Sequence, residues 1–154
     1  MQNKLHFLFA TETGTAEYLA DDLSDSVADE FDCEVTSLQH MDPVNLDAES
    51  IYVIVSSTFG MGDVPNTAQT FLDKLTENRP DLSAVQFAVF GLGDQSFGET
   101  YNQGSEKLMA ALLACDAKMI GERGLYDSAA SDESPEDIAV PWLQDIVAKL
   151  KEDA

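Results

Sequence analysis

The chain has 154 residues, 44% of them hydrophobic and 24% charged, enough for one ordinary buried core. Its 29 acidic residues against 8 basic ones give a formal net charge of -21, which excludes nucleic acid and anionic membrane as partners, since both need Lys and Arg to neutralise phosphates. Two cysteines, Cys33 and Cys115, are too few for a disulfide framework or a metal cluster, and Cys115 with Arg123 misses the CxxxxxR spacing of low-molecular-weight tyrosine phosphatases.

Leu5–Ala10 is a short apolar run that suits a strand buried on both faces. Polar Thr11-Glu12-Thr13 cuts it off before it reaches signal-peptide length, so a cytoplasmic location is expected. A helix is expected over residues 15–31, where Leu19, Leu23, Val27 and Phe31 form one apolar stripe. Residues 33–38 read as an edge strand, and a long connection with an irregular crossover follows over 40–50. Ile51–Val55 is the strongest β-branched run and should be a central strand. A Gly- and Pro-containing loop over 56–66 leads to a helix over 67–76, with Phe71, Leu72 and Leu75 on its buried side.

Val85–Phe90 is the fourth strand, which Gly91-Leu92-Gly93 is expected to end. A third helix spans 101–114, with Leu108, Leu112 and Cys115 on one stripe. A fifth strand over 117–125 is interrupted by Gly121 and Gly124. Ser134-Pro135-Glu136-Asp137 is a helix start, with Ser as N-cap, Pro at the first helical position and acids in the first turn. The last helix carries Ile138, Trp142, Ile146 and Leu150. Alternation of this kind implies a parallel sheet covered on both faces, within a single domain over 1–154.

Open parallel sheets bind ligands beyond the carboxyl ends of their strands. Three loops leave such ends, over residues 11–16, 56–66 and 91–102, and all are rich in Gly and hydroxyl residues. The first, Thr11-Glu12-Thr13-Gly14-Thr15-Ala16, precedes a helix whose N-terminal N–H groups and dipole favour an anion. It lacks the Gly-Lys-Ser/Thr ending of a Walker loop and has no cation at all. That suits a phosphate held as part of a cofactor better than one being transferred. The second loop places Phe59 among glycines, where it can stack on a flat ring. The third offers Phe97 similarly, and its GxG spacing does not continue into a dinucleotide-binding fingerprint.

Thr-Gly-Thr-Ala-Glu at 13–17, Ser-Ser-Thr-Phe-Gly-Met-Gly-Asp at 56–63 and Gly-Leu-Gly-Asp at 91–94 together resemble the three FMN loops of the flavodoxin family. The likeness is to the FMN domains of diflavin reductases and to short MioC-type flavodoxins, and it extends over most of the chain. It implies a three-layer α/β sandwich with a five-stranded parallel sheet in order 2-1-3-4-5. It also implies that Thr11, Glu12, Thr13, Gly14, Thr15 and Ala16 hold the FMN phosphate. Ser57, Thr58, Phe59 and Gly60 would lie against the isoalloxazine, and Leu92, Gly93 and Asp94 at its pyrimidine edge. Phe97 and Tyr101 compete for the second ring face, with Asn102 closing the loop. The family often has Tyr where Phe59 and Phe97 stand, and the fifth strand has no room for a long-chain insertion.

The role implied is that of an electron carrier, expected monomeric, shuttling single electrons between a reductase and an acceptor. Partners with basic surfaces suit the charge. An FMN-dependent oxidoreductase related to quinone reductases is the alternative. A phosphoacceptor receiver domain shares the strand order but needs acids where Ala10-Thr11 and Ser56-Ser57 stand. His6 and His40 read as structural or solvated.

Overall fold

The computed structural model describes residues 4–10, 14–57, 66–93, 103–127 and 134–152. The central strands are β1 (Lys4–Ala10), β3 (Ile51–Ser57) and β4 (Gln86–Gly93), with β2 (Asp32–Ser37) at one edge. The other edge is divided into β5 (Lys118–Met119) and β6 (Gly124–Asp127), which both pair with β4. Every pairing is parallel, in the order β2-β1-β3-β4-β5, as the sequence reading anticipates. The sixth strand is a minor addition, a fifth strand broken in the middle.

Side chains alternate across this sheet as a pleated strand requires. Leu5, Phe7, Ile51, Val53, Val55, Ala88 and Phe90 face one side. There they meet Leu19, Leu23 and Val27 of α1 (Thr15–Val27) and Leu143, Ile146 and Leu150 of α4 (Pro135–Glu152). Leu8, Ile54, Phe87 and Val89 face the other side. They are covered by Phe71 and Leu75 of α2 (Asn66–Asn78) and by Leu108 and Leu112 of α3 (Gln103–Ala114). Burying each such side chain is worth about 1.5–3 kcal/mol, so the two cores together fix the register of the sheet.

Several boundaries differ from the sequence reading. Helix α1 stops at Val27, and Phe31 is buried from the turn that follows it, whose N–H bonds back to the Val27 carbonyl. Gly91-Leu92-Gly93 continues β4 instead of ending it, because β3 and β6 flank those residues on both sides. The connection over 38–45 holds two short 3₁₀ turns, Leu38–His40 and Pro43–Asn45, capped by the side chains of Ser37 and Asp42. In α4 the buried positions are Ala139, Leu143, Ile146, Val147 and Leu150, while Ile138 and Trp142 sit half-buried at the flank. Ser134 opens α4 as expected: its N–H and hydroxyl both donate to the Asp137 carboxylate, at 3.2 and 3.0 Å. Pro141 lies on the exposed side of α4, where water can satisfy the carbonyl it leaves unbonded.

Candidate functional site

The three central strands share one register near their carboxyl ends. Ala10 of β1 is in register with Ser56 of β3, and Ser56 with Gly91 of β4. Gly91 is in turn beside Leu125 of β6. From that row β1 ends at once, β3 runs one residue further to Ser57 and β4 two residues further to Gly93, so the three loops leave the same end of the sheet at stepped heights. Ala10 and Ser56 are fully buried in that row. Backbone rather than bulky side chains forms the floor from which those loops rise.

Gly14 is the N-cap of α1 and lies in the left-handed region at φ +92°. A Cβ there would meet nothing within 4 Å, so backbone conformation rather than crowding calls for glycine. Thr15 and Ala16 begin α1, and Ala16 is buried against the core. The Tyr18 N–H donates to the Gly14 carbonyl at 3.0 Å, the first intrahelical bond of α1. Ser57, Leu92 and Gly93 occupy the last positions of β3 and β4, with Ser57 in register with Leu92. Thr11, Glu12, Thr13, Thr58, Phe59, Gly60, Asp94, Phe97, Tyr101 and Asn102 lie outside the described residues.

The structure adds features that the sequence reading lacked. A cleft of about 360 Å³ beside Gly14 and Thr15 is walled by Tyr18 and by Ser134, Pro135 and Glu136 of α4. Tyr18 is 63% exposed there. Two helix N-termini separated by about 120 residues thus meet at one corner, a juxtaposition that no local spacing announces. Asp22 of α1 faces Glu136 of α4, and burial, then the neighbouring Glu136 carboxyl, push the Asp22 carboxyl above its ordinary range. Strand β6 also reaches the same end of the sheet, through Leu125, Tyr126 and Asp127.

The histidines and cysteines serve elsewhere. His6 Nε2 is 2.8 Å from Thr36 Oγ1, and its ring lies 5.6 Å from that of Tyr52, towards the amino ends of the strands. Both cysteines are free thiols, and burial pushes the pKa of each up, away from the reactive thiolate. Among the described residues no group of three or more His, Cys, Asp or Glu is arranged to hold a metal. No helix among them is long and apolar enough to cross a membrane.

Residues 7–142 match a family model described as Flavodoxin. The chain belongs to the flavodoxin family. It is 36% identical over 138 residues to Protein MioC of Escherichia coli (strain K12), spanning 90% of this chain and 92% of that one. It is 33% identical over 141 residues to NADPH-dependent diflavin oxidoreductase 1 of Emericella nidulans, spanning 88% of this chain and 21% of that larger protein. Among solved structures, a mutant flavodoxin from Pseudomonas aeruginosa superposes with a TM-score of 0.80 at 27% identity, covering 96% of this chain and 99% of that one. The flavodoxin fold, the strand order and the family together support an FMN-binding electron-transfer role.

Proposed function

We propose that this chain, as one domain over 1–154, holds FMN at the carboxyl ends of β1, β3 and β4 and carries single electrons between proteins in the cytoplasm. The observation that supports this most directly is the in-register row of Ala10, Ser56 and Gly91 at the end of the sheet where the left-handed Gly14 opens α1. Bound FMN would supply the capacity to accept and release electrons one at a time.

The chain's own residues would do the rest. Residues 11–16 would hold the phosphate through backbone N–H groups and threonine hydroxyls, with no cation. Ser57, Thr58, Phe59 and Gly60 would lie against one ring face, and Leu92, Gly93 and Asp94 would meet the pyrimidine edge. Phe97 or Tyr101 would cover the other face. Residues 11–16, 56–66 and 91–102 contain no His, Lys or Arg. With no imidazole, amine or guanidinium in these loops, a carrier is favoured over an enzyme that would need a cationic group to bind or protonate its substrate.

FMN titration tests this reading. Purified chain should be yellow, or should become so on adding FMN, with the flavin's fluorescence quenched on binding. Chain that stays colourless and leaves FMN fluorescence unchanged would overturn it. Asp94→Asn tests the tuning. A carboxylate about 10 Å from the ring, at an effective dielectric of about 20, is worth roughly 1.7 kcal/mol, or about 70 mV for one electron. The second one-electron potential should rise by that order.

A further inference from the structure

The sheet has two edges, and they are guarded differently. One is broken into β5, two residues long, and β6, four residues long, so it offers no continuous template. The other, β2, is six unbroken residues, Asp-Cys-Glu-Val-Thr-Ser, paired on one side only. In a parallel ladder every second residue of such a strand directs its N–H and C=O outward. No backbone or side-chain hydrogen bond to an outward group of β2 exists among the described residues, apart from the Ser37 side chain capping the next turn. The strand has no proline, lysine or bulge, the usual devices that stop an edge from pairing.

What guards β2 is negative charge. Asp32 and Glu34 are exposed on it, the Glu34 side chain 75% so, and their basic neighbours in register on β1 are Lys4 and the mostly buried His6, whose Nδ1 is 3.9 Å from the Glu34 carboxylate. Alongside runs a cleft of about 560 Å³ between β2 and α1. Phe9 and Val35 give it an apolar floor, Glu17 and Asp21 an acidic wall, and Gln39 and His40 close one end. A second copy of a chain with a net charge of -21 would bring Asp32 and Glu34 against their own kind. A segment carrying lysines or arginines would meet opposite charge along the whole strip.

We propose that the β2 edge and its cleft form a docking strip that takes a basic, extended segment of a partner protein as an added strand. Main-chain bonds to β2 would supply affinity, and alternating side chains would enter the apolar cleft and meet the acidic rim. The strip lies on the flank of the sheet, and the proposal does not depend on FMN being the bound cofactor.

The probe is a synthetic heptapeptide, Lys-Val-Lys-Val-Lys-Val-Lys, with a twin N-methylated at every second backbone amide. Both are titrated into the full ¹⁵N-labelled chain as purified, and amide shifts and hydrogen exchange are followed. The unmethylated peptide should move the amides of residues 32–37 most and slow exchange at the outward ones. The methylated twin should do neither. The double variant Glu34→Lys with Asp21→Lys, both exposed positions, should weaken binding about tenfold. Shifts spread evenly over the acidic surface, or equal binding of the twin, would show charge attraction alone and overturn the proposal. So would the absence of binding, or a dimer in sedimentation whose 32–37 amides are protected without peptide.

Discussion

Gly124 passes directly beneath Trp142: a Cβ built on Gly124 would lie 2.8 Å from the indole Cδ1, and it would also strike the Phe90 ring. The indole is held from both sides. Its Nε1 donates to the Glu122 carbonyl at 3.0 Å, and its ring centre is 5.3 Å from that of Phe90. The start of β6 therefore closes onto α4 only because residue 124 has no side chain.

Gly124→Ala should accordingly lower unfolding stability by about 1–3 kcal/mol, the usual cost of overpacking. Trp142 is the single tryptophan, so urea unfolding followed by its fluorescence reads the site directly. The variant's native emission should also shift, because the indole must move. A stability equal to that of the parent would mean that β6 gives way at no cost.

Gly14→Ala tests the loop that precedes α1. The added methyl meets nothing within 4 Å, so the cost is backbone strain at φ +92°, about 1–2 kcal/mol for an L-residue held there. Both the unfolding midpoint and FMN affinity should fall. Gly14→Asn should recover part of each, since Asn tolerates left-handed backbone better than Ala. Equal losses in the two variants would locate the cost elsewhere than in the backbone.

These two glycines also show what local sequence does and does not reveal. Gly14, placed between an apolar run and an amphipathic helix, is legible as a junction because its neighbours in sequence are its neighbours in space. Gly124 reads only as an interruption, because Phe90 and Trp142 come from distant segments. The stripe Ile138, Trp142, Ile146 and Leu150 fails for a related reason. Steps of four advance 400° around the helix and drift about 40° each, so Ile138 and Trp142 rotate out to the flank while Leu143 and Val147 turn in. Strand order survives such errors because apolar runs like Ile51–Val55 have no amphipathic alternative. The corner where α1 and α4 meet beside Gly14 depends on tertiary closure, and no spacing rule reaches it.

His6 makes stability depend on pH. Burial lowers its pKa below the ordinary 6.5, against opposing pulls from Glu34 and Asp47. The folded state therefore resists the proton that the unfolded chain accepts. The contribution is fully present above about pH 6.5 and is lost as pH falls from there through the depressed folded value. His6→Gln can keep a hydrogen bond to Thr36 without titrating. Urea midpoints at pH 7.5 and 5.5 should differ less in that variant than in the parent. An identical difference would remove His6 from the pH response.

Charge is distributed so that one flank should dominate encounter with basic partners. Residues 1–73 carry fourteen acids and one base, Lys4, while residues 74–154 carry fifteen acids and seven bases. Strands β2, β1 and β3 and helix α1 all come from the first segment, and β2 and β1 form one side of the sheet. Two ion pairs among the described residues, Lys74–Asp42 at 3.0 Å and Lys151–Glu30 at 2.9 Å, link the segments; both are solvent-exposed and neutralise little of that field. Stopped-flow electron transfer from a basic-surfaced flavoprotein reductase should therefore slow by about tenfold as salt rises from low to high concentration. Neutralising Glu17 and Asp21 together as amides should flatten that dependence more than neutralising two acids of the second segment, such as Asp145 and Glu152. Rates indifferent to ionic strength would reduce the acidic excess to a solvated surface with no part in association.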